Sequence, residues 1–156
     1  MGEGKLVIGL GNILLKDEGV GVRCIELMRN RGLGSDIKLV DGATLGFDLL
    51  EEIKGFEKVV IVDAVDMGKE PGHIASFDAE ELLSLPSGEK FSLHEISLVD
   101  VVQVGKKIGY DFGNVRVVGI QPKDVSPGEN LSEIIREKLP ALVERVLKEI
   151  DNQEGE

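Results

Sequence analysis

The fold is decided by residues 5–31, which read KLVIGLGNILLKDEGVGVRCIELMRNR. The run Lys5–Leu10 is almost continuously apolar, as expected for a strand that is buried on both faces of a sheet. Gly11 ends the run. From about Glu18 to Arg31 the apolar residues recur at helical spacing, and Gly32 follows where a helix would end. The stretch therefore predicts a buried strand that leads directly into a helix.

Strand and helix patterns continue to alternate along the rest of the chain. Further strands are predicted at Ile37–Val40, Val59–Val62, His73–Phe77 and Val115–Ile120. Helices are predicted from Leu45 to Ile53, from Asp78, within Ser92–Gly109 and from Leu131 to about Ile150, and residues 151–156 are expected to fray. This alternation is typical of an α/β fold. We expect one three-layer domain over residues 1–156, in which helices cover both faces of a mostly parallel, twisted sheet of about five strands.

The composition excludes several classes of protein. The chain carries 18 Lys and Arg against 29 Asp and Glu, a formal net charge of -11, which repels nucleic-acid phosphates and anionic membrane surfaces. No apolar run approaches the roughly 18–20 residues of a membrane span. The single cysteine, Cys24, cannot form an internal disulfide and is predicted to be a small core residue. We expect a cytoplasmic monomer that binds no nucleic acid and does not insert into membranes.

Acidic residues follow the first three predicted strands. Glu18 lies beyond the first strand, Asp41 directly follows the second and Asp63 directly follows the third. In an open α/β sheet, ligands bind beyond the carboxyl ends of the strands, where the winding direction reverses. If the strand order is 2-1-3-4-5, the first and third strands are neighbours. That order would bring Glu18 and Asp63 into one crevice.

A histidine could complete this group. His94 precedes a predicted helix, and two carboxylates with one imidazole suit a divalent first-row metal such as nickel or zinc. Structural roles stay open for the same residues. Asp17 and Glu18 suit the positive end of a helix dipole, Asp63 suits a turn, and His94 could simply neighbour the N-cap of a helix that opens at Glu95.

Two glycines after the first strand suggest a dinucleotide-binding turn. Gly9 and Gly11 match the start of G-x-G-x-x-G, but Leu14 stands at the third glycine. Asp17 and Glu18 would also place negative charge where a pyrophosphate binds. A tight strand-to-helix turn explains both glycines equally well. A non-catalytic nucleotide-binding module stays an alternative that these residues disfavour.

Five segments stand in the order of the motifs of one enzyme family. They are Gly9–Gly21, Val40–Gly46 followed by Leu49 and Leu50, Val62–Ala64, Ser92–Leu98 and Gly119–Pro122. Together they resemble the maturation endopeptidases of nickel–iron hydrogenases, over residue 5 to about residue 147. The resemblance implies an enzyme that removes the C-terminal extension of the hydrogenase large-subunit precursor after nickel has been inserted.

The resemblance also implies roles for individual residues. Glu18, Asp63 and His94 would contact nickel in the substrate's own active site, which serves as the recognition signal, so that no resident metal is expected. Such an O,O,N set could complete the coordination of a metal already held by substrate thiolates. Glu18 and Asp63 are thereby also catalytic candidates. Asp41 is the candidate for the general base or for holding the substrate tail.

One position departs from the family pattern. Ala43 stands where the family's DGGT segment has its second glycine. If that glycine supplies a positive φ, the loop of this chain is stiffer or differently turned. The departure bears on substrate choice more than on reaction type.

Peptidyl-tRNA hydrolase is the nearest enzymatic alternative, because it also opens with a strand and G-x-G-N. It fits poorly, since Ile13 stands where that family has proline. The acidic charge also opposes binding of tRNA.

Overall fold

The computed structural model describes residues 4–85 and 96–152. Within these residues the chain forms five strands, which are β1 (Lys5–Leu10), β2 (Ile37–Ala43), β3 (Lys58–Ala64), β4 (Ile74–Asp78) and β5 (Val115–Ile120). They make one sheet in the order β2-β1-β3-β5-β4. β1 pairs in parallel with β2 and β3, and β3 pairs in parallel with β5. The predicted α/β fold with a mostly parallel sheet is confirmed.

The same residues form four α-helices, α1 (Val20–Met28), α2 (Leu49–Glu52), α3 (Leu98–Lys107) and α4 (Glu133–Asp151). Gly32, which was predicted to end this helix, has the left-handed conformation typical of a C-terminal cap, with φ 67°, after the short 3₁₀ turn that follows α1. The helix predicted from Asp78 is a 3₁₀ helix, Ala79–Ser84, opened by a reciprocal capping box between Asp78 and Glu81. α3 begins later than the predicted opening at Glu95, because the hydroxyl of Ser97 accepts the N–H of Asp100 and caps the helix there.

Alternate residues of the buried strands pack on opposite faces of the sheet. Leu6 and Ile8 of β1 lie in a cluster with residues of α2 and α3. Val7 lies in the other cluster, with residues of α1 and α4. Cys24 is fully buried in that second cluster, and burial raises the pKa of its thiol to about 12. The three-layer arrangement and the core position of Cys24 are confirmed.

The predicted strand order is correct for the first three strands and wrong for the last two. β5 lies beside β3, and β4 lies at the sheet edge, antiparallel to β5. The connection from β3 to β4, residues 65–73, has no helix. A parallel neighbour requires a crossover of about a dozen residues or more. The short link therefore leads to an antiparallel edge strand, and the position beside β3 is filled by β5.

Among the helices that the structure describes, none is both long and apolar enough to cross a bilayer.

Candidate active site at the carboxyl edge of the sheet

The turn after β1 depends on close backbone contacts. A β-carbon on Gly9 would overlap the carbonyl of Gly21, and one on Gly21 would overlap the carbonyl of Val62. Gly11, whose φ is 124°, lies against the carbonyl of Glu18. These contacts support the interpretation of the glycines as a tight turn, because they let α1 begin directly against β1 and β3.

Glu18 and Asp63 come together at this edge. Glu18 belongs to the 3₁₀ segment Lys16–Gly19, and this segment contacts β3. Asp63 lies near the end of β3. Asp63 is partly buried, and its Oδ1 accepts the N–H of Ala64 at 2.9 Å. Burial, together with the negative charge of Glu18, raises the pKa of Asp63 to about 8, against the lowering effect of the Ala64 hydrogen bond. The predicted neighbourhood of these two carboxyl groups is thus present in the fold.

The electrostatics of this pair determine what it can do. Two carboxyl groups this close oppose each other's ionisation, so that a proton or a cation between them is favoured. A carboxyl whose pKa is about 8 can also take up and release a proton near neutral pH. The pair is therefore suited to bind a divalent cation or to transfer a proton.

Asp41 lies at the same edge but further along the sheet. It pairs with Gly9 of β1, which in turn pairs with Val62 of β3. Two strand spacings, roughly 10 Å, therefore separate the backbone of Asp41 from that of β3. Its carboxylate is exposed, and its Oδ1 accepts the N–H of Ala43 at 3.0 Å. This position suits contact with a bound chain better than shared coordination with Asp63.

The loop beside Asp41 contains a strained residue. Ala43 has φ 41°, in the left-handed region that glycine adopts freely. The N–H of Ala43 donates to Asp41, and its carbonyl accepts the N–H of Gly11 at 2.8 Å. The loop therefore holds Ala43 by hydrogen bonds on both sides. Ala43 has the positive φ that was considered above for the glycine of the family pattern at this position.

We expect Ala43→Gly to raise the free energy of unfolding by about 0.5–1 kcal/mol. The left-handed conformation costs a non-glycine residue roughly 1–2 kcal/mol, and part of the gain from removing this cost is offset because glycine loses more conformational entropy on folding. Urea denaturation measures the change. Ala75→Gly, within β4, is the matched control and should lower stability instead. Equal destabilisation by the two variants would contradict the assignment of strain.

A buried glutamine fixes the loop that follows Asp63. The side chain of Gln121 is almost completely buried. Its Oε1 accepts the N–H groups of Met67 at 2.6 Å and Lys69 at 3.2 Å, and its Nε2 donates to Asp66 Oδ1 at 3.2 Å. Gln121 belongs to the segment Gly119–Pro122 quoted in the sequence analysis, but no pattern in the sequence indicates that its side chain holds this loop.

The third predicted metal contact, His94, lies outside the described residues. Ile96, the first residue described after it, lies near the loop that follows β2, where its Cδ1 stands 3.5 Å from the position of a β-carbon on Gly46. Residues 4–85 and 96–152 by themselves bring together no group of three or more His, Cys, Asp or Glu able to hold a metal. Of the three residues predicted to contact a metal, only Glu18 and Asp63 lie within the described residues.

Comparison with known proteins assigns the chain to a family. The sequence profile of HycI, hydrogenase maturation protease, matches residues 22–149. The chain belongs to the hydrogenase maturation protease family. Membership makes it a hydrolase with an endopeptidase role in hydrogenase maturation, and it confirms the family inferred from the five sequence segments. It also disfavours the peptidyl-tRNA hydrolase and nucleotide-binding alternatives.

Relatives of this family match over most of the chain. The hydrogenase expression/formation protein HupD of Rhodobacter capsulatus is 31% identical over 93% of this chain and 70% of its own length. The hydrogenase 2 maturation protease of Escherichia coli is 32% identical over 91% of this chain and 87% of its own length. The structure of the hydrogenase maturating endopeptidase HybD from Escherichia coli superposes with a TM-score of 0.78 at 29% identity, covering 94% of this chain and 91% of that one.

Proposed function

We propose that this protein removes a C-terminal extension from the large-subunit precursor of a nickel–iron hydrogenase after nickel has been inserted. The observation that carries the proposal is the approach of Glu18 to Asp63 at the carboxyl edge of the sheet, in a chain of the hydrogenase maturation protease family. Nickel belongs to the substrate in this proposal and signals that the precursor is ready to be cleaved. The protein itself holds no resident metal.

Glu18 and Asp63, with His94, are the residues proposed to contact the substrate's nickel. Their oxygen and nitrogen atoms complement thiolates that hold the metal within the precursor. The raised pKa of Asp63 supports this assignment, because a nearby cation would displace the proton and relieve the repulsion from Glu18. The free site is therefore poised to receive positive charge.

The hydrolytic step is proposed to use Asp41. Nickel held beside the scissile bond would polarise its carbonyl or lower the pKa of an attacking water. Asp41 is exposed and stands roughly two strand spacings from Asp63, so that it can accept a proton or hold the substrate tail without sharing the metal. A peptide lying across the ends of β2, β1 and β3 would meet all three carboxyl groups.

The protein is proposed to act in the cytoplasm, since one cysteine allows no internal disulfide and disulfides are rare in that reducing compartment. Its monomeric state stays a prediction.

The deciding experiment compares nickel-loaded and nickel-free large-subunit precursors. We expect cleavage of the nickel-loaded form only, detected as a released C-terminal peptide by mass spectrometry. Asp41→Asn should lower the cleavage rate by at least about 100-fold while nickel-dependent binding is kept, because general-base contributions are about 10²–10⁴-fold.

Three outcomes would count against this proposal. Equal cleavage of both precursor forms would remove nickel as the signal. Loss of both binding and cleavage in Asp41→Asn would contradict the separation of its role from that of Glu18 and Asp63. No cleavage of either form, together with a thermal shift on adding nucleotides, would favour the nucleotide-binding module.

A further inference from the structure

A fully buried carboxylate lies immediately before Glu18 in the chain. Asp17 has 0% of its surface exposed, and both of its oxygens are occupied. Oδ2 accepts the N–H groups of Lys123 and Asp124, both at 2.9 Å, and the hydroxyl of Ser132 at 2.7 Å. Oδ1 accepts the N–H of Ser132 at 2.7 Å. All of these donors belong to the connection between β5 and α4. The contacts of Asp17 therefore differ from those expected of a partner of a helix dipole, the role suggested by the sequence.

Further bonds join the same two segments. Lys16 N–H donates to the carbonyl of Gly128 at 2.9 Å, and Gly128 N–H donates to the carbonyl of Leu14 at 2.8 Å. Asp17 N–H donates to the carbonyl of Asp124 at 3.0 Å, and Lys16 Nζ forms an ion pair with Asp124 Oδ2 at 3.1 Å. Lys16 is held at φ 46°, a conformation that persists only where the surroundings enforce it. The connection therefore imposes a defined shape on the segment.

This shape determines where the next residue points. Glu18 N–H donates to the carbonyl of Leu15 at 3.0 Å, within the turn that Asp17 anchors. We propose that Asp17 is a positioning residue, which ties the segment Lys16–Gly19 to the β5–α4 connection and thereby holds Glu18 beside Asp63. The inference rests on the proposed function, because Glu18 has a metal-contacting role only there.

An amide cannot replace the Asp17 carboxylate. Asparagine keeps one oxygen acceptor, and its NH₂ group is a donor that would face a donor in this pocket. If the amide nitrogen takes the place of Oδ1, the N–H of Ser132 loses its acceptor. If it takes the place of Oδ2, the three donors to that oxygen lose theirs. Asp17→Asn should therefore loosen the segment while it leaves every atom of Glu18 and Asp63 in the chain.

The test compares Asp17→Asn with Glu149→Gln. Glu149 is a similarly buried carboxylate, and its Oε1 accepts Arg116 Nε at 3.1 Å near the amino end of β5, far from the carboxyl edge. At a temperature where both variants are folded, we expect Asp17→Asn to lose at least ten-fold of its binding preference for nickel-loaded over nickel-free precursor and of its cleavage rate. Glu149→Gln should keep both, because a loss of stability alone does not alter the preference.

Amide hydrogen exchange supplies a readout that needs no substrate. Protection of the Glu18 amide should fall at least ten-fold in Asp17→Asn and stay unchanged in Glu149→Gln. If Asp17→Asn does not fold, Ser132→Ala replaces it, because it removes one of the four hydrogen bonds, and a smaller change in the same direction is expected.

The outcomes separate the two proposals. Unchanged protection of Glu18, or an unchanged nickel preference and cleavage rate, would overturn the positioning role of Asp17. If the wild-type protein cleaves neither precursor, the proposed function fails, and the exchange measurement still decides whether Asp17 holds Glu18 in place.

Discussion

Asp63→Asn is expected to lower cleavage of the nickel-loaded precursor by at least about 100-fold, and Glu18→Gln is expected to do the same. Either change removes a carboxylate from the pair whose closeness favours a cation. An amide oxygen is a weaker ligand for nickel and cannot take up the proton that a carboxylate accepts. Release of the C-terminal peptide under single-turnover conditions measures the rate.

The control for these variants is Asp36→Asn. Asp36 is exposed and precedes β2, at the opposite end of the sheet from the carboxyl edge. It undergoes the same chemical change, and its cleavage rate should stay within about two-fold of wild type, as for a surface substitution away from the site. Wild-type cleavage by Asp63→Asn would exclude Asp63 from the reaction.

The second large effect concerns the stability of the metal-free protein. The pKa of Asp63 is about 8 in the folded protein and about 3.9 in an unfolded chain. As pH rises between these values, the unfolded state loses its proton while the folded state retains it, so the free energy of unfolding falls. Below both pKa values Asp63 does not change the free energy of unfolding, and above pH 8 its destabilising effect is complete.

Asp63→Asn should therefore be more stable than wild type at pH 8, and the two proteins should converge near pH 4. The expected difference at pH 8 is at least about 1.4 kcal/mol, the equivalent of one pKa unit. Urea denaturation at pH 4, 6 and 8 in the presence of a chelator measures it. Taking the difference between the two proteins cancels other titrating groups, such as Asp124, whose pKa is lowered to about 2. Parallel pH profiles would contradict a raised pKa of Asp63.

Local patterns predicted the buried parts of the fold well. β1 and β5 have the predicted bounds, because strands buried on both faces read as short apolar runs. The neighbourhood of Glu18 and Asp63 followed from the rule that β1 and β3 lie side by side where the winding reverses. These inferences needed only residues close together in the chain and a general topological rule.

Long-range contacts could not be predicted in this way. The donors to Asp17 lie 106 to 115 residues further along the chain, and no spacing or composition links them to it. The exchange of β4 and β5 was missed because the sequence pattern locates strands without pairing them. Asp41 was expected at the shared edge, but its distance across the sheet from β3 is set by strand order and register, which become known only with the fold.

The bonds from Asp17 to the β5–α4 connection also constrain the order in which the enzyme can assemble. Contacts between residues so far apart in sequence require closure of a long loop, so we expect them to form late in folding. During synthesis, the segment that carries Glu18 leaves the ribosome well before Ser132, its anchor. If Asp17 positions Glu18 as proposed, an incomplete chain has Glu18 and Asp63 but lacks the hydrogen bonds that align them. We then expect proteolytic activity only after the C-terminal third has been made and has docked.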